Sequence, residues 1–199
     1  YTVQPAFTIT ISTNAHTLNS TLTNNGTINW SAGVIGGATG SIQNTNGAVF
    51  NINYNETSQL HAAFTNQAGG TVNQNGTGTF NTYVDGWGNH FGTFTNAGTI
   101  NLVNGNWTFV AHNTHSGTID IPTGRTLSFT GGTANLNAGT TFTGSGAIVN
   151  TGTTNQNFPW TNSSIALTIQ NGVWTASAGY PMLFEAGSSF TMTGGTLTN

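Results

Sequence analysis

The sequence predicts an all-β fold: a single-stranded parallel β-helix (β-solenoid) with irregular rungs of about 19–29 residues and loop excursions. Three observations carry this. Gly, Asn and Thr, which disfavour helices, dominate a chain poor in helix formers. Short runs of alternating apolar and polar residues recur between Gly- and Asn-rich turns, as half-buried strands do. One phrase, Gly-Thr/Ala-Ile/Val, starts at Gly26, Gly47, Gly70, Gly98, Gly117 and Gly146, at intervals of 21, 23, 28, 19 and 29 residues. Unequal intervals exclude a fixed-length array and fit stacked coils with loops of variable length.

The strand candidates, in order, are 7–12, 26–30, 48–54, 98–103, 106–111, 126–130, 165–170, 173–177 and 189–193. The one faint helical pattern is 56–67, with Leu60, Ala63 and Phe64 roughly on one face, but it is short and flanked by Thr. In a rung stack, Ile28, Val72, Ile100, Ile119 and Ile148 form an inward apolar column, while Thr, Asn and Ser alternate outward. Glycine and asparagine at the corners accept left-handed backbone angles, and stacked asparagines pair their amides from rung to rung. The competing all-β architecture is an antiparallel sandwich with hairpins at Asn46-Gly47, Asn75-Gly76, Asn104-Gly105 and Asn171-Gly172. A phrase that recurs in one orientation favours the solenoid.

The chain reads as one β-solenoid domain, 1–199. Residues 1–30 form an N-terminal strand segment with the first rung, and 186–199 an open C-terminal rung. Neither end shows a charged or amphipathic cap, so apolar side chains there are candidate assembly contacts. These are Phe7, Ile9 and Ile11 at one end and Phe190, Met192 and Leu197 at the other.

Composition excludes several functions. Charged residues make up 3% of the chain; Arg125 is its only base, and Glu56, Asp85, Asp120 and Glu185 are its acids. Neutralising phosphates needs several Lys or Arg, so nucleic acid is not the expected partner, nor is an anionic membrane surface. With 35% hydrophobic and 11% aromatic residues the chain is too apolar for disorder. It lacks cysteine and any apolar run long enough to span a bilayer as a helix.

The raw material for catalysis is thin. A glycoside hydrolase typically uses two carboxylates. Asp85, in "YVDGWGNHF" (83–91), is the best single candidate, with Glu56 or Asp120 as its partner. Tyr83, Asp85, Trp87 and His90 are the candidate glycan contacts, against the plainer reading of a turn-capping Asp beside a covering Trp. His112 and His115 have a spacing that suits zinc only on a helix. Arg125 is expected to make a surface hydrogen bond or to pair with Asp120 around "DIPTGR". Trp30, Trp87, Trp107, Trp160, Trp174, Tyr54 and Tyr180 are stacking platforms for sugar if exposed, whereas most Phe belong inside. Thr-x-Thr pairs such as Thr8/Thr10, Thr141/Thr143 and Thr196/Thr198 suggest ice binding, but their irregular spacing argues against one continuous array. The expectation is a non-enzyme with no catalytic residue, metal or cofactor.

"FTNAGTINL" (94–102), the stretch 124–153 and "SFTMTGGTLTN" (189–199) resemble rungs of secreted bacterial parallel β-helix proteins, the autotransporter-passenger and filamentous-haemagglutinin-like adhesins. The likeness covers most of 20–155 and the last ten residues. It implies an extracellular, cell-surface location. Passenger domains usually run to many more rungs, and nothing here resembles their outer-membrane barrel. The function expected is an extracellular structural or adhesive rod. It is either a fibre subunit assembling head to tail or a section of a longer adhesin, and its partners are copies of itself or a host or cell-surface glycan. Ice binding or carbohydrate binding is the alternative, and a polysaccharide hydrolase the least favoured.

Overall fold

Three short strands make each rung. The rung of Ala63–Asn66, Thr71–Gln74 and Thr79–Thr82 shows the plan: all three strands alternate half-exposed and buried residues, and each lies parallel to its counterpart in the rungs on either side. The computed structural model describes residues 1–12, 15–37, 39–82 and 92–199. They form a parallel β-solenoid of about 9 turns with no helix among the described residues.

The first sheet has ten strands, from Thr2–Val3 to Thr196–Thr198. The second has seven, from Thr8–Ile11 to Thr141–Thr143, and the third nine, from His16–Thr17 to Ser189–Met192. In the later rungs a separate pair, Trp160–Asn162 with Met182–Phe184, lies between first- and third-sheet strands in chain order. The Asn-Gly turns join strands of different sheets rather than paired antiparallel strands, and the hairpin alternative falls. The faint helical pattern at 56–67 is also corrected. Ser58–Leu60 and Ala63–Asn66 are strands of different sheets, because the turn between them lets Leu60 and Phe64 each face the core.

Inward files run along the axis. Ile28, Phe50, Val72, Ile100 and Ile119 stand in consecutive register on the second sheet, all buried. The expected column is thus present except for Ile148, which lies on the third sheet between Leu127 and Leu167. The phrase at Gly146 opens a third-sheet strand, whereas the second-sheet corner of that rung is Thr140, in register above Gly117. The 29-residue interval joined two different corners.

Aromatic rings fill the middle of the stack. Phe64 and Phe94 stack at 5.0 Å, Phe80 meets Trp107 edge-on at 4.3 Å, and Phe109 stacks on Phe129 at 5.8 Å. Such pairs add about 0.5–1.5 kcal/mol each beyond the area they bury.

The phrase glycines have two physical causes. Gly47 has φ +77° and open space around it, as the left-handed expectation requires. Gly26, Gly70, Gly98, Gly117 and Gly146 lie outside the left-handed region. They are small because the preceding rung leaves no room: a Cβ on Gly98 would overlap the Gly70 and Gln67 carbonyl oxygens and the Asn66 amide. Gly98→Ala is therefore expected to cost about 3 kcal/mol in urea unfolding. Gly47→Asn, which tolerates the left-handed region, is expected to cost less than about 0.5 kcal/mol.

Candidate functional site

A chain of buried amides runs along the inside corner between the first and second sheets. Asn24, Asn44, Asn66 and Asn96 occupy one register position and are fully buried. Each Nδ2 donates to the next Oδ1 at 2.8 Å. The same Nδ2 groups also reach second-sheet carbonyls of the adjacent rung: Asn24 to Val49 at 3.0 Å, Asn44 to Thr71 at 3.1 Å and Asn66 to Thr99 at 3.1 Å. These bonds tie the first sheet to the second where the backbone turns. Amide pairing was expected from the sequence, but these four asparagines face inward, whereas the alternation rule placed Asn toward water.

His115 holds the next register position above Asn96. It is fully buried, and its ring lies 4.8 Å from that of Phe109 and 6.2 Å from that of Phe129. Because the Asn113 amide nitrogen donates to the Ala111 carbonyl, Asn113 Oδ1 accepts from His115 Nε2 at 2.9 Å. Nδ1 is left without a hydrogen-bond partner. Burial pushes the imidazole pKa down from 6.5 to about 3. The zinc reading fails here, since His115 points inward and His112 is exposed, its Nδ1 accepting from the Thr133 amide at 2.9 Å.

The candidate assembly residues are the outermost members of the inward files. Ile9 and Ile11 lie in register over Ile28 and Trp30. Phe7, which precedes them, is 67% exposed, and Ile9 is 41% exposed. Thr2, Val3, Gln4, Phe7, Thr8 and Ile9 line a shallow hollow of about 170 Å³ on this face. At the opposite face Phe190 and Met192 lie over Leu167 and Ile169, and Leu197 over Trp174; all three are exposed. Sequence reasoning missed Met182 and Phe184. They lie over Trp160 and Asn162, and the Phe184 ring meets that of Phe190 at 5.2 Å. "MLF" is an unbroken apolar triplet, so no alternation marked which of its residues turn inward.

The other candidates are dispersed. Tyr83, Asp85, Trp87 and His90 lie outside the described residues. Trp30, Trp107, Trp160 and Trp174 are core residues, which corrects the stacking-platform reading for all four. Their indoles fill the stack, and Trp30 and Trp174 donate to the Ala32 carbonyl at 2.8 Å and to Gln156 Oε1 at 3.1 Å. Of the two readings for Arg125, the pairing with Asp120 is not the one seen: Asp120 Oδ1 accepts the Thr143 hydroxyl at 2.6 Å in the next rung. Glu56 accepts from the Tyr54 hydroxyl at 3.3 Å on the surface. Among the described residues no three His, Asp or Glu group as metal ligands would. Among the described residues no helix is long and apolar enough to cross a membrane. The chain matches no protein-family model, no curated protein and no solved structure.

Proposed function

We propose that this chain is an extracellular structural or adhesive rod whose rungs lengthen by end-on contact. One observation carries the reading: apolar side chains in register over the core are left exposed at both faces of the stack. At one face these are Ile9, with half-buried Ile11, in "TITI" of the second sheet; at the other they are Phe190 and Met192 in "SFTM" of the third sheet and Leu197 of the first. A further rung, from a second copy or from more chain of the same grammar, buries them and completes the parallel ladder. A net charge of −3 offers little repulsion to such stacking.

The test is self-association of the 199-residue polypeptide. Sedimentation and negative-stain images are expected to show rods that lengthen with concentration. Ile9→Asp and Phe190→Asp each remove the burial of one large apolar side chain, about 1.5–3 kcal/mol. Each should weaken association about tenfold to a hundredfold while leaving the circular dichroism unchanged. A polypeptide that stays monodisperse at high concentration overturns the proposal.

A further inference from the structure

We propose that the outer face of the second sheet is an ice-binding surface, its ligand the ordered water of an ice-crystal face. This stands independently of end-on assembly. The sequence argued against a continuous threonine array because the spacing along the chain is irregular. Register removes that irregularity: loops of different length absorb the differences, and the strands bring the residues into file.

Thr8, Thr27, Thr71, Thr99, Thr118 and Thr141 occupy one outward register position over seven consecutive strands, with Val49 between Thr27 and Thr71. Two residues further along each strand runs a second outward file: Thr10, then Asn29, Asn51, Asn73 and Asn101, then Asp120 and Thr143. The grid repeats at roughly 4.8 Å along the axis and roughly 6.7 Å along the strand, close to the two repeats of oxygen atoms on faces of hexagonal ice. Seven strands make it about 30 Å long.

The grid is held in place before any ligand arrives. Asn51, Asn73 and Asn101 donate to Asn29, Asn51 and Asn73 at 2.9, 2.9 and 2.8 Å. In the middle of this ladder Asn73 spends one N–H and one lone pair on its neighbours, leaving one donor and one acceptor for water at a fixed position, whereas Asn51 also accepts from Asn75 Nδ2 at 3.4 Å and keeps one donor. The threonines are β-branched, with few χ1 states to lose. Rigid methyl and hydroxyl groups in file order water with little further entropy cost. The occupant follows from what the face lacks. Asp120 is its only charged residue, and it presents no aromatic ring to stack on a sugar. The first-sheet face is less regular, broken by Ala63, His112 and Val173. The third-sheet face carries Ala147, Val149 and Ala166.

Ice itself is the probe, read as thermal hysteresis, crystal shaping and partition into growing ice. The wild-type chain is expected to shape crystals and to give measurable hysteresis. Thr99→Tyr, in the middle of the file, should reduce hysteresis at least tenfold with circular dichroism and melting temperature unchanged. Val49→Thr, which fills the one gap, should raise it about twofold. Thr95→Tyr, on the first-sheet face, should leave it as it is. Absence of hysteresis and shaping in the folded wild-type chain overturns the proposal, as does equal activity in Thr99→Tyr. If Thr99→Tyr instead abolishes side-by-side association of rods without affecting ice, the face is a contact between copies and the ice proposal falls.

Discussion

Asn66→Leu is expected to cost about 3 kcal/mol or more of unfolding free energy, although the new side chain is more hydrophobic than the old one. Asn66 is fully buried and takes part in four hydrogen bonds. It accepts from Asn44 at 2.8 Å and donates to Asn96 at 2.8 Å, to the Thr99 carbonyl at 3.1 Å and to the Gly70 carbonyl at 3.2 Å. Leucine answers none of these groups and leaves Asn96 Oδ1 facing no donor. An orphaned buried polar group costs about 1–3 kcal/mol, more than a typical hydrogen bond contributes when made. Asn66→Asp should be worse at neutral pH, because it sets a buried carboxylate against the Asn96 and Thr99 oxygens. The outward ladder is the control. Asn73→Ala removes bonds of similar length, but Asn73 is half-exposed and water replaces the lost partners, so the expected cost is under about 1 kcal/mol. Urea unfolding of the three variants checks the ordering. Equal losses at Asn66 and Asn73 would show that the inner amides carry no special share of stability.

The contrast between Asn66 and Asn73 also marks what could be read from the sequence. Strand alternation and the recurring Gly-Thr-Ile phrase showed a parallel stack with an apolar column, because both are local and each rung repeats them. Alternation also separates the inward asparagines from the outward ones, but neither signal shows that the inward amides meet one another. Asn66 stands two residues after inward Phe64 in "FTNQ" and Asn73 one after inward Val72 in "TVNQ", so their faces differ; that the inward amides form a continuous chain is decided by rungs 20 or more residues away. The same non-local cause explains Ile148, whose phrase opened a different corner, and the ice-facing threonines, whose regularity exists only across rungs. The end residues Phe7, Ile9, Ile11, Phe190, Met192 and Leu197 were legible because alternation alone marks them as inward. The burial of Trp30, Trp107, Trp160 and Trp174 was not, since ring size says nothing about which side of a strand a ring occupies.

Acid is expected to weaken the stack through His115. In the unfolded chain this imidazole takes up a proton near pH 6.5, whereas in the folded stack burial holds its pKa down at about 3. Between those values the unfolded state binds a proton that the folded state refuses. Stability from this group is therefore intact above pH 6.5 and declines as the pH falls toward 3. A displacement of this size corresponds to about 5 kcal/mol over the full window, or about 3 kcal/mol at pH 4. The geometry explains why the group stays neutral: Nε2 is spent on Asn113, and a proton on Nδ1 would have no acceptor among Phe94, Phe109 and Phe129. His115→Asn is the informative variant, because position 115 continues the register of Asn24, Asn44, Asn66 and Asn96 and an amide there can accept from Asn96. The substitution should change stability at pH 7 by about 2 kcal/mol or less, the lost ring packing being offset by one more ladder bond. It should also remove the loss between pH 6.5 and 4. The carboxylates are common to both chains, so the difference between their pH profiles isolates the imidazole. Parallel profiles would mean that the buried ring is protonated in the folded stack or reached by water, and the acid sensitivity would have to come from another group.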